Sequence, residues 1–226
     1  MNRWISYALV AVVLSAGAFF YQSSQSRDLP NFGMAEAQTA DAADAAEVDK
    51  SLVVEMALGA EDAPLTVIEY ASFTCPHCRS FHENTFKQVK AEYIDTGKVR
   101  FIYREVYFDR FGLWAGMVAR CGGAEKYFGI SSMIYNQQAT WTKGENPGAI
   151  ADNLVIIGKT AGLTGDEIDA CLQNNAMAQA MIAVYQENVE RDGVKSTPSF
   201  IIDGELVTGD QTYDSFAAIL DAKLAD

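Results

Sequence analysis

Apolar and polar positions change period several times along the chain. Leu65-Thr66-Val67-Ile68-Glu69-Tyr70 follows Pro64 as a short β-rich run and predicts a central strand. Ser51 to Met56 predicts another strand beside it. From Pro76 to about Tyr93, apolar residues at Phe81, Phe86, Val89 and Tyr93 predict a helix. Lys98 to Val106 reads as a second strand, parallel to the first if that helix is the crossover. Leu113 to about Met133 has helical composition, and Ile150, Leu154 and Ile157 fall near one helical face. Thr164 with Glu167 forms a capping box before a short helix that contains Cys171. Met177, Met181, Val184, Tyr185 and Asn188 keep helical spacing. The period then shortens. Phe200-Ile201-Ile202, Asp203-Gly204 and Glu205-Leu206-Val207 have the layout of a two-residue hairpin. Thr212 can cap a last helix that uses Phe216, Ile219, Leu220 and Leu224. This order predicts an α/β domain: a small mixed sheet interrupted by a helical insertion.

The first fifty residues do not share this pattern. Arg3 precedes an uncharged apolar run from Ile5 to Tyr21, the layout of a secretory signal or a membrane anchor (residues 1–21). Ala16-Gly17-Ala18 has the small-x-small form of a cleavage site, yet the run continues through Phe19, Phe20 and Tyr21. Removal and retention both stay open, and a buried N-terminal helix is the bland alternative. Residues 22–50, rich in Ala, Gln, Ser and acids, bury too little apolar area to offset their ordering entropy and read as a tether. The folded domain is expected over 51–226. A formal charge of −13 argues against nucleic acid and against anionic lipid heads as partners.

The four cysteines are Cys75, Cys78, Cys121 and Cys171, and sequence alone does not choose among their three pairings. Cys75 and Cys78 lie within one helical turn; if they pair, Cys121 and Cys171 are left as the other pair. Cys75-Pro76-His77-Cys78 follows the strand and opens the helix. Pro76 suits the first helical position, which makes Cys75 the N-cap. Its sulfur then faces the free amides of His77 and Cys78 and the positive end of the helix dipole. A charged His77 would favour the thiolate further. Stabilising the reduced thiolate makes the disulfide an oxidant, with Cys75 exposed to substrate and Cys78 the more buried partner. The competing readings are a structural disulfide and a zinc site of Cys75, Cys78 and His82. The latter lacks a fourth ligand, because His77 points elsewhere, so no metal is expected. Ser196-Thr197-Pro198-Ser199-Phe200 leads into the hairpin, where proline marks an edge or a cis bond.

Leu58-Gly59-Ala60-Glu61-Asp62-Ala63-Pro64, the strand, Cys-Pro-His-Cys and the later Thr-Pro together resemble thioredoxin-like proteins of the DsbA family, over about residues 52–225. The resemblance implies a thioredoxin fold with an inserted all-helical subdomain at about 112–192. It implies that Pro198 is cis and lies against Cys75 and Cys78, and that Thr197 helps to bind substrate backbone. It makes Glu69 the acid beneath the site, passing protons to or from Cys78; a solvent-facing strand residue is the alternative. His82 is expected on the helix surface. A Cys121–Cys171 bridge, structural rather than catalytic, would close a loop of about 50 residues and add up to about 4 kcal/mol, with two buried free thiols as the alternative.

The activity so implied is dithiol oxidation in the periplasm or cell envelope. The partners would be reduced or unfolded exported polypeptides and, for reoxidation, a membrane quinone-linked thiol oxidase. No cofactor is expected, and the chain is expected to act as a monomer, tethered to the inner membrane if residues 5–21 are retained. Two other functions compete. A reductase or isomerase would use the same site, although the tether is too short and too polar to be an isomerase's dimerisation domain. A non-enzymatic peptide-binding module would use the surroundings of Thr197-Pro198. Phe111, Trp114, Met117, Tyr127, Phe128 and Met133 would line its groove, unless they are simply core.

Overall fold

A computed structural model describes residues 48–225. The signal or anchor at 1–21 and most of the tether lie outside the described residues. Among the latter, no helix is long and apolar enough to cross a membrane.

Five strands form one mixed sheet in the order β1-β3-β2-β4-β5. The central strand β2 (Leu65–Ala71) runs parallel to β3 (Val99–Glu105) and antiparallel to β4 (Ser199–Ile202). Between β2 and β3 lies helix α1 (76–94), the expected crossover. β5 (Glu205–Thr208) closes a hairpin with β4, and Asp203 and Gly204 at its tip both take left-handed φ, +49° and +76°. Such a turn matches the twist of the paired strands.

The first strand differs from expectation. Ser51 belongs to a 3-10 turn (Lys50–Leu52), because the Asp49 carboxylate accepts from its amide at 3.0 Å. Strand β1 is Met56–Leu58, and it pairs antiparallel with β3 at the sheet edge, not with β2. β2 has no free edge to offer, since β3 and β4 occupy both sides.

Helix α1 is not regular. Its α-helical segments Pro76–Phe81 and Lys87–Val89 alternate with π turns at His82–Phe86 and Lys90–Ile94. Phe81 and Phe86 are five residues apart, one more than an α-helical face allows. The wider turn absorbs the extra residue and keeps both rings inward. Phe81 packs against Phe200 of β4, ring centroids 4.7 Å apart.

Six helices separate β3 from β4: α2 (Arg110–Cys121), α3 (Gly123–Asn136), α4 (Gln138–Trp141), α5 (Pro147–Thr160), α6 (Gly165–Leu172) and α7 (Asn175–Arg191). The predicted run 113–133 breaks at Gly122-Gly123, where Gly123 takes a φ of +69°, a region that favours glycine. α2 is the buried axis of the block: every residue from Gly112 to Ala119 is buried. Trp114, Met117 and Tyr127 are core, and Phe111, Phe128 and Met133 pack against it. The capping box at Thr164 and Glu167 opens α6, and Thr212 caps the last helix, α8 (Tyr213–Leu224).

Cys121 at the end of α2 and Cys171 in α6 are bonded, with a sequence separation of 50. Replacing both by alanine is expected to lower stability by about 2 to 4 kcal/mol through restored freedom of the unfolded chain. Urea unfolding without reductant, compared between the two proteins, measures the difference.

Candidate active site

The strand β2 ends at Ala71, and four residues, 72–75, separate it from helix α1. That short connection is held from several sides. The Cys75 amide donates to the Ser72 carbonyl at 3.0 Å. The Thr74 hydroxyl donates to Asp109 Oδ2 at 2.7 Å, while Asp109 Oδ1 accepts from the amides of Phe111 and Gly112 at the head of α2. The Tyr135 hydroxyl donates to the Ser72 carbonyl at 3.2 Å. The buried Gln138 amide donates twice, to the carbonyls of Phe73 at 2.8 Å and Cys75 at 2.9 Å. Asp109, Tyr135 and Gln138 all come from the helical block or its entry. Gln138 escaped the sequence reading, because a glutamine on a short helix carries no signal until its neighbours in space are known.

Cys75 is the N-cap of α1, with extended backbone (φ −81°, ψ 120°), and Pro76 is the first helical residue. Both Cys75 and Cys78 are free thiols; the first is half-buried and the second fully buried. Pro76 and His77 are exposed. The Thr197–Pro198 peptide bond is cis, Pro198 is buried, and Cys75 Sγ donates to the Thr197 carbonyl at 3.5 Å.

Several hydrogen bonds favour the Cys75 anion. The Cys78 thiol contributes most; burial of the sulfur works against it. The Thr197 hydroxyl and the backbone amides of Cys78 and His77 add to the first effect, and Cys75 is pushed down to about 5. Cys78 moves the other way: burial, its hydrogen bond to Cys75 and the charges of Cys75 and Glu69 push its thiol far up. The two sulfurs are thereby driven apart, one an anion and the other its proton-holding partner.

Glu69 is wholly buried, in phase with Leu65 and Val67 on the covered face of β2. The solvent-facing alternative does not hold. His82 also departs from expectation. It is not on the helix surface: it is 7% exposed, its Nε2 lies 3.1 Å from Glu69 Oε2, and its ring stacks on Tyr135 with centroids 4.3 Å apart. The π turn that begins at His82 directs the ring inward. A signal was available, since His82 continues the face of Cys78, Thr85, Val89 and Tyr93 at helical spacing.

A mixed sheet with a Cys-Pro-His-Cys helix start on one side and a cis-proline loop on the other defines a thioredoxin-fold dithiol protein. A family profile described as Thioredoxin matches residues 51–222, and the chain belongs to that family, among its DsbA-type members. Alpha-DsbA1 of Wolbachia pipientis superposes with a TM-score of 0.69 at 27% identity, covering 78% of this chain and 96% of that one. A protein-disulfide isomerase from Novosphingobium aromaticivorans gives 0.69 at 25%, covering 76% and 98%. A Rickettsia bellii protein, provisionally named a protein-disulfide oxidoreductase, is 30% identical over 173 residues, which is 76% of this chain and 65% of that protein. The chain thus spans less than two thirds of the length of this curated relative.

Proposed function

We propose that the chain is a thiol:disulfide oxidoreductase that introduces disulfide bonds into exported polypeptides. The observation that carries this reading is the division of labour between the sulfurs: a half-exposed Cys75 held at about 5, above a buried Cys78 pushed up. A dithiol whose reduced form is so favoured gives an oxidising disulfide.

In the forward reaction a substrate thiolate attacks Cys75 Sγ of the oxidised pair. The bond to Cys78 breaks, its electron pair stays on Cys78 Sγ, and that sulfur is protonated, with Glu69 as the nearby acid. A second substrate thiolate then attacks the substrate sulfur of the mixed disulfide. Cys75 departs as a stable thiolate, and the substrate leaves oxidised. Thr197 and Pro198 would hold the substrate backbone against Cys75, consistent with the Thr197 carbonyl beside its sulfur. Two electrons remain on the pair, and a membrane quinone-linked thiol oxidase would remove them. The uncharged run at 5–21 supports export to the periplasm or cell envelope, with tethering if it is retained.

Equilibration of the protein with glutathione tests the direction. The expected reduction potential lies well above the thioredoxin value of about −270 mV; a result near that value would overturn the oxidase reading in favour of a reductase.

The same thiolate sets a pH dependence. Iodoacetamide alkylation of Cys75 in the reduced protein is expected to show a midpoint near pH 5, against the ordinary value of 9.0. Because the folded value is lower than the unfolded one, the thiolate stabilises the reduced protein fully above about pH 9. That stabilisation is lost as pH falls toward 5. Melting of the reduced protein beside its Cys75→Ala variant, followed from pH 9 down to pH 5, reads the narrowing difference.

A further inference from the structure

A wholly buried carboxylate is strongly disfavoured unless a cation or several donors face it. Among the described residues Glu69 has one such contact, from Oε2 to His82 Nε2 at 3.1 Å, and its Oε1 has no partner. His82 is four residues beyond Cys78, so its ring lies one turn further along the same side of α1. Aromatic rings enclose it: Tyr135 at 4.3 Å, Phe86 at 4.7 Å and Tyr103 at 5.8 Å between centroids.

The titratable groups facing this ring are Glu69 from β2, Tyr103 from β3, Tyr135 from α3 and Cys78 from α1 itself. Burial pushes both tyrosines up, so they stay neutral, and their hydroxyls are 2.6 Å apart. Helix α8 packs on the same π turn, but its Tyr213 and Asp221 are bound to Glu92 and Tyr93 further along α1. Within this shell His82 alone can carry a positive charge against Glu69.

We propose that His82 is a positioning residue for the exchange reaction: it fixes the Glu69 carboxyl near Cys78 and shares with it the proton that Cys78 takes up on leaving the disulfide. The proposal rests on the redox reading of Cys75 and Cys78. When substrate thiolate bonds to Cys75 Sγ, the electron pair of the broken bond stays on Cys78 Sγ. One proton passes from the Glu69–His82 pair to that sulfur. The pair goes from net neutral to singly negative, and a proton taken up from solvent later restores it. Reoxidation reverses each transfer.

The chain has only two histidines, so its imidazoles are separable. In the full chain carrying labelled histidine, with His77→Gln assigning the second signal, the His82 ring is titrated by NMR in the oxidised and reduced states. The expected midpoints differ by about one pH unit or more, because the charge above the ring changes with redox state. Equal midpoints would overturn the proposal. His82→Phe keeps the stacked ring, and His82→Gln keeps a hydrogen bond to Glu69 without titrating. Both are expected to slow mixed-disulfide formation at pH 7 by about tenfold or more and to change its pH profile. Wild-type rate and profile in His82→Gln would leave His82 a merely structural role and sink the idea, even if His82→Phe failed to fold. Failure of the redox reading is distinguishable, since it would appear as full activity in Cys75→Ser.

Discussion

Replacing Cys75 by serine is expected to reduce oxidation of a dithiol peptide to the uncatalysed background. The exchange needs a sulfur that substrate can reach and that can leave as an anion, and Cys75 is the half-exposed member of the pair. Serine keeps the size and the position at the helix start, but its oxygen neither forms the bond nor departs at neutral pH. Cys78→Ser acts differently. It keeps the hydrogen-bond donor toward Cys75, leaves the accessible sulfur in place and removes the resolving one, so mixed disulfides should accumulate. Non-reducing gels of the two variants incubated with a substrate protein distinguish them. Full activity in Cys75→Ser would assign the nucleophile elsewhere.

The largest expected effect on stability lies away from the sulfurs. Arg120, 8% exposed at its side chain, forms two hydrogen bonds with Glu105 at 2.7 and 2.6 Å, and Glu105 is 4% exposed. Its third contact is to the Val54 carbonyl at 2.7 Å, and the Tyr127 hydroxyl donates to Glu105 at 2.8 Å. Burial works against the guanidinium charge, and Glu105 more than offsets it, so the Arg120 pKa is raised. The group joins the end of β3, the end of α2 and the segment before β1. Arg120→Met strands a buried carboxylate and is expected to lower stability by about 3 to 5 kcal/mol in urea unfolding. The double change Arg120→Met with Glu105→Leu should recover most of that, because two apolar side chains leave no charge uncompensated. A single variant as stable as wild type would show that the pair contributes little.

The elements whose signals are local were legible in the sequence. Proline after a cysteine at a strand end marks a helix start, Asp-Gly between two apolar runs marks a tight hairpin, and Thr164 with Glu167 marks a cap; each depends on residues within a turn of one another. The site's cysteines and its proline loop are legible for the same reason. The misreadings concern residues whose place depends on distant neighbours. β1 was displaced because Asp49 closes a turn over Ser51 and because both edges of β2 are taken. His82 shares the helical face of Cys78, Thr85 and Val89, but a histidine there points inward only because Glu69, on a distant strand, offers it a partner. Glu69 lies in phase with apolar residues, but an acid there belongs to the core only where a distant partner, here His82, meets it. Gln138 had no local signature at all.

That glutamine bears on how portable the active loop is. Its side chain satisfies the Phe73 and Cys75 carbonyls from a helix outside the βαβ unit that carries the sulfurs. Transplanting Cys-Pro-His-Cys onto a scaffold without the helical block would therefore deliver the four residues but strip the Phe73 carbonyl of its donor and leave the Cys75 carbonyl with the Arg79 amide alone. The graft would carry the letters of the site while losing the brace that holds its first sulfur in register.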